Sequence, residues 1–247
     1  MIPDGVVAIA DHAFADCVTL QSVVLPTGCN NIGDNAFSGC SYLDEITLND
    51  DLSSIGAFAF LGTLITDLHL PSSLSDDMTG IVSSYSKIKN FVIPDNNPYY
   101  RSIDGVLFSK DGKTLIAFPS GRKEVYTVPD GTESINYFAF GGCMDLEGVL
   151  LPRTVRQIEP YGFFQCSSLL DIIIPESTIS IGQNAFAYCS GLKSITISDK
   201  VELIDIDAFS DCPALKDINN QGSEEKWDNI QLFAEIPSGC RINYGVS

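Results

Sequence analysis

Ile181-Gly182-Gln183-Asn184-Ala185-Phe186-Ala187-Tyr188-Cys189-Ser190-Gly191-Leu192-Lys193-Ser194-Ile195-Thr196-Ile197 holds, in one stretch, a pattern that recurs along the chain. An Ala-Phe pair is followed three residues after the Phe by Cys and three further on by Leu, and the stretch closes on alternating apolar residues. Phe14, Phe37 and Phe60 stand 23 residues apart, and so do Phe140, Phe163, Phe186 and Phe209. A fixed internal period of this length marks a solenoid whose units bury their apolar faces only against neighbouring units.

The second copy reads Ile32-Gly33, Ala36-Phe37, Cys40, Leu43, Ile46 and Leu48. The end of each unit alternates apolar and polar residues and often closes on proline, the period-2 signature of a short strand. The middle, from Gly to Cys, is polar with small residues and opens on Asp11, Asp34 or an equivalent. This predicts one helical or 3₁₀ turn with the Asp as its cap. The third unit carries Thr63 in place of Cys, and the fourth keeps only Val82, Tyr85, Ile88, Phe91, Ile93 and Pro94 of the apolar register.

This skeleton of Ile-Gly, Ala-Phe, Cys, Leu and Ile-x-Leu-Pro resembles the BspA-like leucine-rich repeat proteins, and eight units align to it. The resemblance implies an α/β repeat solenoid: a right-handed leucine-rich-repeat superhelix with rungs of about 23 residues and short strands in a parallel sheet on the concave face. It also implies a secreted or cell-surface protein that attaches to host, matrix or microbial macromolecules.

The spacing from Val82 to Phe140 is 58, one period plus 35 residues. In that interval Val106-Leu107-Phe108 and Thr114–Phe118 flank Asp111-Gly112, which predicts an inserted hairpin. The expected organisation is one continuous solenoid domain, with rungs over 1–94, the hairpin segment over 95–125, rungs over 126–220 and a terminal cap over 221–247. Ile2-Pro3-Asp4-Gly5 matches Val128-Pro129-Asp130-Gly131 at an offset of 126, so the chain is expected to begin in mid-repeat as a piece of a longer protein. From Ser223 the period is abandoned, and Trp227 is read as the anchor of the cap that an open solenoid end requires.

Lys and Arg number 14 against 32 Asp and Glu, and the net charge of −18 disfavours nucleic acid and anionic lipid as partners. No apolar run approaches the roughly 20 residues of a membrane-spanning helix. Of the eight cysteines, Cys17, Cys40, Cys143, Cys166, Cys189 and Cys212 fall three residues after the repeat Phe, and Cys29 takes the place of Val6, Leu52, Val155 and Val201. Cysteines on adjacent rungs, roughly 4.8 Å apart, are close enough for a disulfide by Cα distance alone. Their shared direction and their place in the apolar register favour buried thiols. Cys240 lies outside the repeat.

Function must lie where the repeat leaves residues free. One outward strand column reads Ser22, Glu45, Asp67, Asn90, Gly148, Asp171, Ser194, Asp217, and the next reads Val24, Thr47, His69, Val92, Leu150, Ile173, Thr196. Glu45, Asp67, His69, Val92, Leu150, Asp171 and Ile173 are therefore the candidate protein-binding residues, their apolar members offering partner surface. β-branched residues also simply suit strands. If Glu45 and Asp67 lie on adjacent rungs, each should raise the other's pKa. Phe58, Phe138, Tyr161, Phe164 and Tyr188 form a second candidate patch, with packing on neighbouring rungs as the plainer reading.

Asn49-Asp50-Asp51, Ser75-Asp76-Asp77 and Asp95-Asn96-Asn97 cluster oxygens without the spacing of a calcium loop, and no Cys-x-x-Cys or His cluster marks a metal site. His12 and His69, the only histidines, fall in different units, and there is no phosphate-binding loop. The expectation is a non-catalytic module without cofactor, a spacer solenoid being the alternative and a hydrolase with an unrecognised carboxylate site a remote third.

Overall fold

The structure, a computed structural model, describes residues 2–74 and 87–246. Val82, Tyr85 and Ser75-Asp76-Asp77 lie outside the described residues. The chain forms two compact units, Met1–Gly112 with Ile116–Arg122 and Lys113–Leu115 with Lys123–Ser247. Each is a parallel β-solenoid with a repeat of about 23 residues, as the period predicts.

In the first unit the short strands Ala8–Ile9, Asn31–Ile32 and Ser54–Ile55 stack in parallel, with Ile9 opposite Ile32. The end-of-repeat strands pair likewise, Ser22–Val24 with Glu45–Thr47 and Asp67–His69 with Asn90–Val92. Their burial alternates, so Val23, Ile46 and Leu68 enter the core while their neighbours face out. In the second unit Ser134–Ile135, Gln157–Ile158, Ser180–Ile181 and Leu203–Ile204 form one ladder. Asp171–Ile173, Ser194–Ile197 and Asp217–Asn220 form another, and Tyr126–Thr127 pairs with Val149–Leu150.

The segment expected to be helical is a run of turns. Within it alternate amides serve different partners: those of Ala13, Ala15 and Cys17 bond three residues back, whereas His12, Phe14 and Asp16 donate to Asp34, Ala36 and Ser38 of the next rung. A helix would consume all of these donors internally and leave the stack without its third ladder. The alternation is possible because two residues per repeat are left-handed, at positions 12 and 16, 35 and 39, 161 and 165, and 184 and 188. Non-glycine residues in this region cost roughly 1–2 kcal/mol each, and Asn, Asp and Gly account for many of the occupants. The Asp expected as a helix cap also points along the stack, since Asp11 Oδ1 accepts from Asp34 N at 2.8 Å and Asp34 Oδ1 from Ala57 N at 2.7 Å. Gly182 is required by the same close stacking, since a Cβ there would lie 2.6 Å from Pro160 N.

The repeat Phe rings form parallel stacks, with centroids 5.3 Å apart for Phe14 and Phe37 and 4.7 Å for Phe140 and Phe163, and all of them but the half-buried Phe14 are fully buried. All eight cysteines carry free thiols. Those of Cys40, Cys166, Cys189 and Cys212 donate to the carbonyl of the Phe one rung earlier, at 3.0–3.1 Å. Thr63 explains its own exception, because its hydroxyl donates to the Phe60 carbonyl of its own rung at 2.8 Å. Cys17 corrects the reading of every repeat cysteine as buried: it is exposed.

The insertion is larger than the expected hairpin. Tyr100–Ile103 pairs antiparallel with Val106–Ser109 through the two-residue turn Asp104-Gly105, both residues left-handed, and the chain continues through Gly112 into Thr114–Ala117, the next strand of the sheet. Val106, Leu107 and Phe108 are fully buried, and Gly105 O accepts from the Phe91 amide at 2.8 Å. The final segment also departs from expectation. Gln231–Leu232 and Arg241–Tyr244 extend the two ladders by pairing in parallel with Leu203–Ile204 and Asp217–Asn220, at offsets of 28 and 24 residues instead of 23. The longer arc accommodates Glu224–Asp228, the one helix among the described residues, capped by Ser223 and buried through Trp227. The tail is therefore an irregular further rung.

Two stability measurements check this account. Trp227→Ala should lose about 3–5 kcal/mol in denaturant unfolding, and Gly182→Ala about 1–3 kcal/mol because backbone must shift; an unchanged midpoint in either would contradict the packing described.

Candidate partner-binding surface

The strand columns expose the candidates in two separate groups. In the first unit Asp67–His69 lies against Asn90–Val92, with His69 opposite Val92, whereas Glu45 sits opposite Ser22 on another strand pair. The anticipated mutual effect of Glu45 and Asp67 is not what governs Asp67. Hydrogen bonds from Asn90 Nδ2 at 2.8 Å and Thr66 Oγ1 at 2.9 Å hold its carboxyl below the usual carboxylate range. Asn90 Oδ1 in turn accepts from Arg122 Nη2 at 2.8 Å, and the same guanidinium donates to the carbonyls of Lys89 and Asp104. Asp67 thus belongs to a network that ties the insertion to the strand Asn90–Val92.

In the second unit Leu150, Asp171 and Ile173 line one groove of about 500 Å³. Leu150 is 57% exposed and Ile173 62%, one repeat apart at the same strand position, and Val125, 54% exposed, continues the apolar floor. Leu151, Ile172 and Ile174 support it from within, the last two essentially buried. Glu147, Asp171 and Glu176 stand on the groove walls, with Arg153 as the cationic member. Sequence reasoning found Asp171 but missed Val125, Glu147, Arg153 and Glu176. The signal for Val125 was its place before Tyr126-Thr127-Val128, where an outward position continues the alternation.

The aromatic candidates divide by burial. Phe138 is 9% exposed, and it packs with Tyr161 and Phe164 at centroid distances of 6.0 and 5.4 Å, so the neighbouring-rung reading describes these three. Tyr188, 47% exposed, is an edge partner of Phe164 at 5.3 Å; hydrogen bonding to Asp211, and that residue's charge, raise its phenol pKa. Tyr188 also lines a cleft of about 720 Å³ with Met144, Asp207, Asp211, Glu235 and Pro237. Phe58 belongs to the other unit and is half-buried.

The oxygen-rich loops have structural partners. Asn49 Nδ2 donates to the Pro26 and Cys29 carbonyls, and Asp51 Oδ2 accepts from Gly28 N at 2.9 Å. Asn97 is buried and its Oδ1 accepts from the Tyr99 and Tyr100 amides. His12 occupies a left-handed turn position and His69 an end-of-repeat strand. Among the described residues no group of three or more His, Cys, Asp or Glu is arranged to hold a metal ion, and no helix is long and apolar enough to cross a membrane.

A parallel solenoid with this repeat is the architecture of leucine-rich repeat proteins. The family model for the BspA type leucine rich repeat region, in six copies, matches residues 7–127 and 116–235, and the chain belongs to that family. No curated protein matches. Among solved structures, a leucine rich cell surface protein from Faecalibacterium prausnitzii is similar over 99% of this chain and 65% of its own, at 29% identity and a TM-score of 0.72. The pneumococcal vaccine antigen PcpA shares the fold at 24% identity and a TM-score of 0.69, covering 96% of this chain and 65% of that one. A leucine-rich repeat protein from Eubacterium ventriosum does so at 18% identity and a TM-score of 0.70, over 99% and 82%. This chain thus spans about two thirds, 65%, of the length of the first two.

Burial raises the thiol pKa of Cys189 well above its usual value and pushes that of Cys212 up to about 12. A raised thiol pKa favours the protonated native form. Its stabilising contribution is full below the unfolded thiol's pKa near 9.0 and is lost as pH rises towards about 12. At pH 9, thiol titration of the native protein should label Cys17 rapidly and leave Cys189 and Cys212 protected until unfolding; fast labelling of all three would contradict the burial.

Proposed function

We propose that this chain is a non-catalytic protein-binding module of a cell-surface or secreted protein, and that it engages its partner through the outward strand face around Leu150 and Ile173. The observation that carries this reading is the pair of large aliphatic side chains more than half exposed, side by side over a 500 Å³ groove. Contiguous exposed apolar surface is costly to leave in water and is a property of interaction sites. Membership in the leucine-rich repeat family and the likeness to a cell-surface protein of Faecalibacterium prausnitzii support both the binding role and the location. An excess of carboxylates, net charge −18, directs the choice away from nucleic acid. The two histidines stand on unlike surfaces, one in a turn and one on a strand, which gives acid–base chemistry no shared centre.

Leu150→Glu with Ile173→Glu places charges on exposed positions, so the circular dichroism spectrum and melting transition should stay unchanged. The wild-type protein should enrich binders from a displayed random-peptide library, and the double variant should lose at least tenfold in affinity for them. Equal binding by the two proteins, or no enrichment by the wild type, would leave a spacer as the better description.

A further inference from the structure

The groove has a charge as well as an apolar floor, and together these select a kind of partner. Its ionisable lining comprises Glu147, Asp171 and Glu176 against Arg153, three negative groups to one positive, all on exposed residues. The ion pairs Lys113–Glu133, Lys123–Asp145, Lys200–Asp199 and Arg241–Asp217 all lie outside the groove's carboxylates. The floor between these carboxylates is aliphatic, formed by Val125, Leu150 and Ile173. Resting on the binding role proposed above, we infer that the groove's occupant is an extended polypeptide segment whose apolar side chain is flanked by lysine or arginine.

Each part of that occupant answers a part of the site. An aliphatic or aromatic side chain removes Leu150 and Ile173 from water, and a neighbouring cation pairs with Glu147, Asp171 or Glu176 at the rim, where opposite charge steers encounter and selects among partners. Acidic segments are rejected by the same three groups. Segments that are basic but lack an apolar residue gain only exposed ion pairs, which are weak. Extended backbone suits the groove because side chains alternate along a strand, so one face meets the floor while the other remains in solvent.

The experiment uses the whole chain and three synthetic nonapeptides, acetylated and amidated, in which Leu alternates with Lys, with Gln or with Glu. Binding is read by fluorescence anisotropy at low and high salt. The Leu/Lys peptide should bind at least tenfold tighter than Leu/Gln, and Leu/Glu should bind weakest, with the Lys preference shrinking at high salt. Glu147→Gln, Asp171→Asn and Glu176→Gln combined should abolish the preference while keeping Leu/Gln binding. Leu150→Ser with Ile173→Ser should weaken Leu/Lys and Leu/Gln alike. A Lys preference that survives the three amide substitutions, or none in the wild type, overturns the inference while Leu/Gln binding sensitive to the Ser pair preserves the binding role. If the Ser pair changes no peptide's affinity, both readings fall.

Discussion

The carbonyls of Phe14, Phe140, Phe163 and Phe186 each accept two hydrogen bonds, one from the Cys amide three residues on in the same turn and one from the thiol of the Cys on the next rung. Cys143 N and Cys166 Sγ meet at Phe140 O in this way, at 3.1 Å each, and Cys166 N and Cys189 Sγ at Phe163 O. A carbonyl has two lone pairs, and a buried one left unsatisfied is costly. The single Phe-x-x-Cys spacing thus closes a turn and couples it to its neighbour, while the Phe rings stack in the same direction. Left-handed backbone, inter-rung amide bonds and the glycine that permits close approach all serve that coupling.

Because coupling uses the inward side of each rung, what remains for function is restricted to residues the stack does not consume. Asp67 shows how easily a surface position is recruited. It occupies an outward column, yet Asn90, Thr66 and, through Asn90, Arg122 make it part of the joint between strand and insertion. Leu150 and Ile173 are different, for their side chains face away from the core-directed Val149 and Ile172 and remain exposed. A β-branched residue such as Ile173 suits an outward strand position on its own, but Val125, Leu150 and Ile173 are exposed together around one groove, and it is this contiguity that marks a surface for a partner.

The rungs, strand ladders and buried columns were legible in the sequence because a period repeated at constant spacing averages out local ambiguity. The turn was misjudged as helical because short polar segments with an initial Asp suit either state; the deciding factor, that alternate amides bond to a neighbouring rung, is a tertiary demand. The extra strand of the insertion was signalled by Asp104-Gly105, a second Asp-Gly between apolar runs. The last rung was hidden by its irregular offsets, since Gln231 and Arg241 lie off the 23-residue register although their strands pair as the others do. For the candidate surface, Leu150, Asp171 and Ile173 were readable from strand alternation. The carboxylates of Glu147 and Glu176 were not, because turn residues have no fixed direction until the rungs are stacked.

The central proposal is that the outward face around Leu150 and Ile173 receives a partner. Methyl-resolved NMR of the Ile, Leu and Val side chains during titration with the Leu/Lys peptide addresses it directly. Chemical-shift changes confined to Val125, Leu150, Ile173 and their immediate neighbours are predicted. Shifts centred on Leu215 and Ile236, which line the cleft beside Tyr188, or no shifts at all, would contradict it.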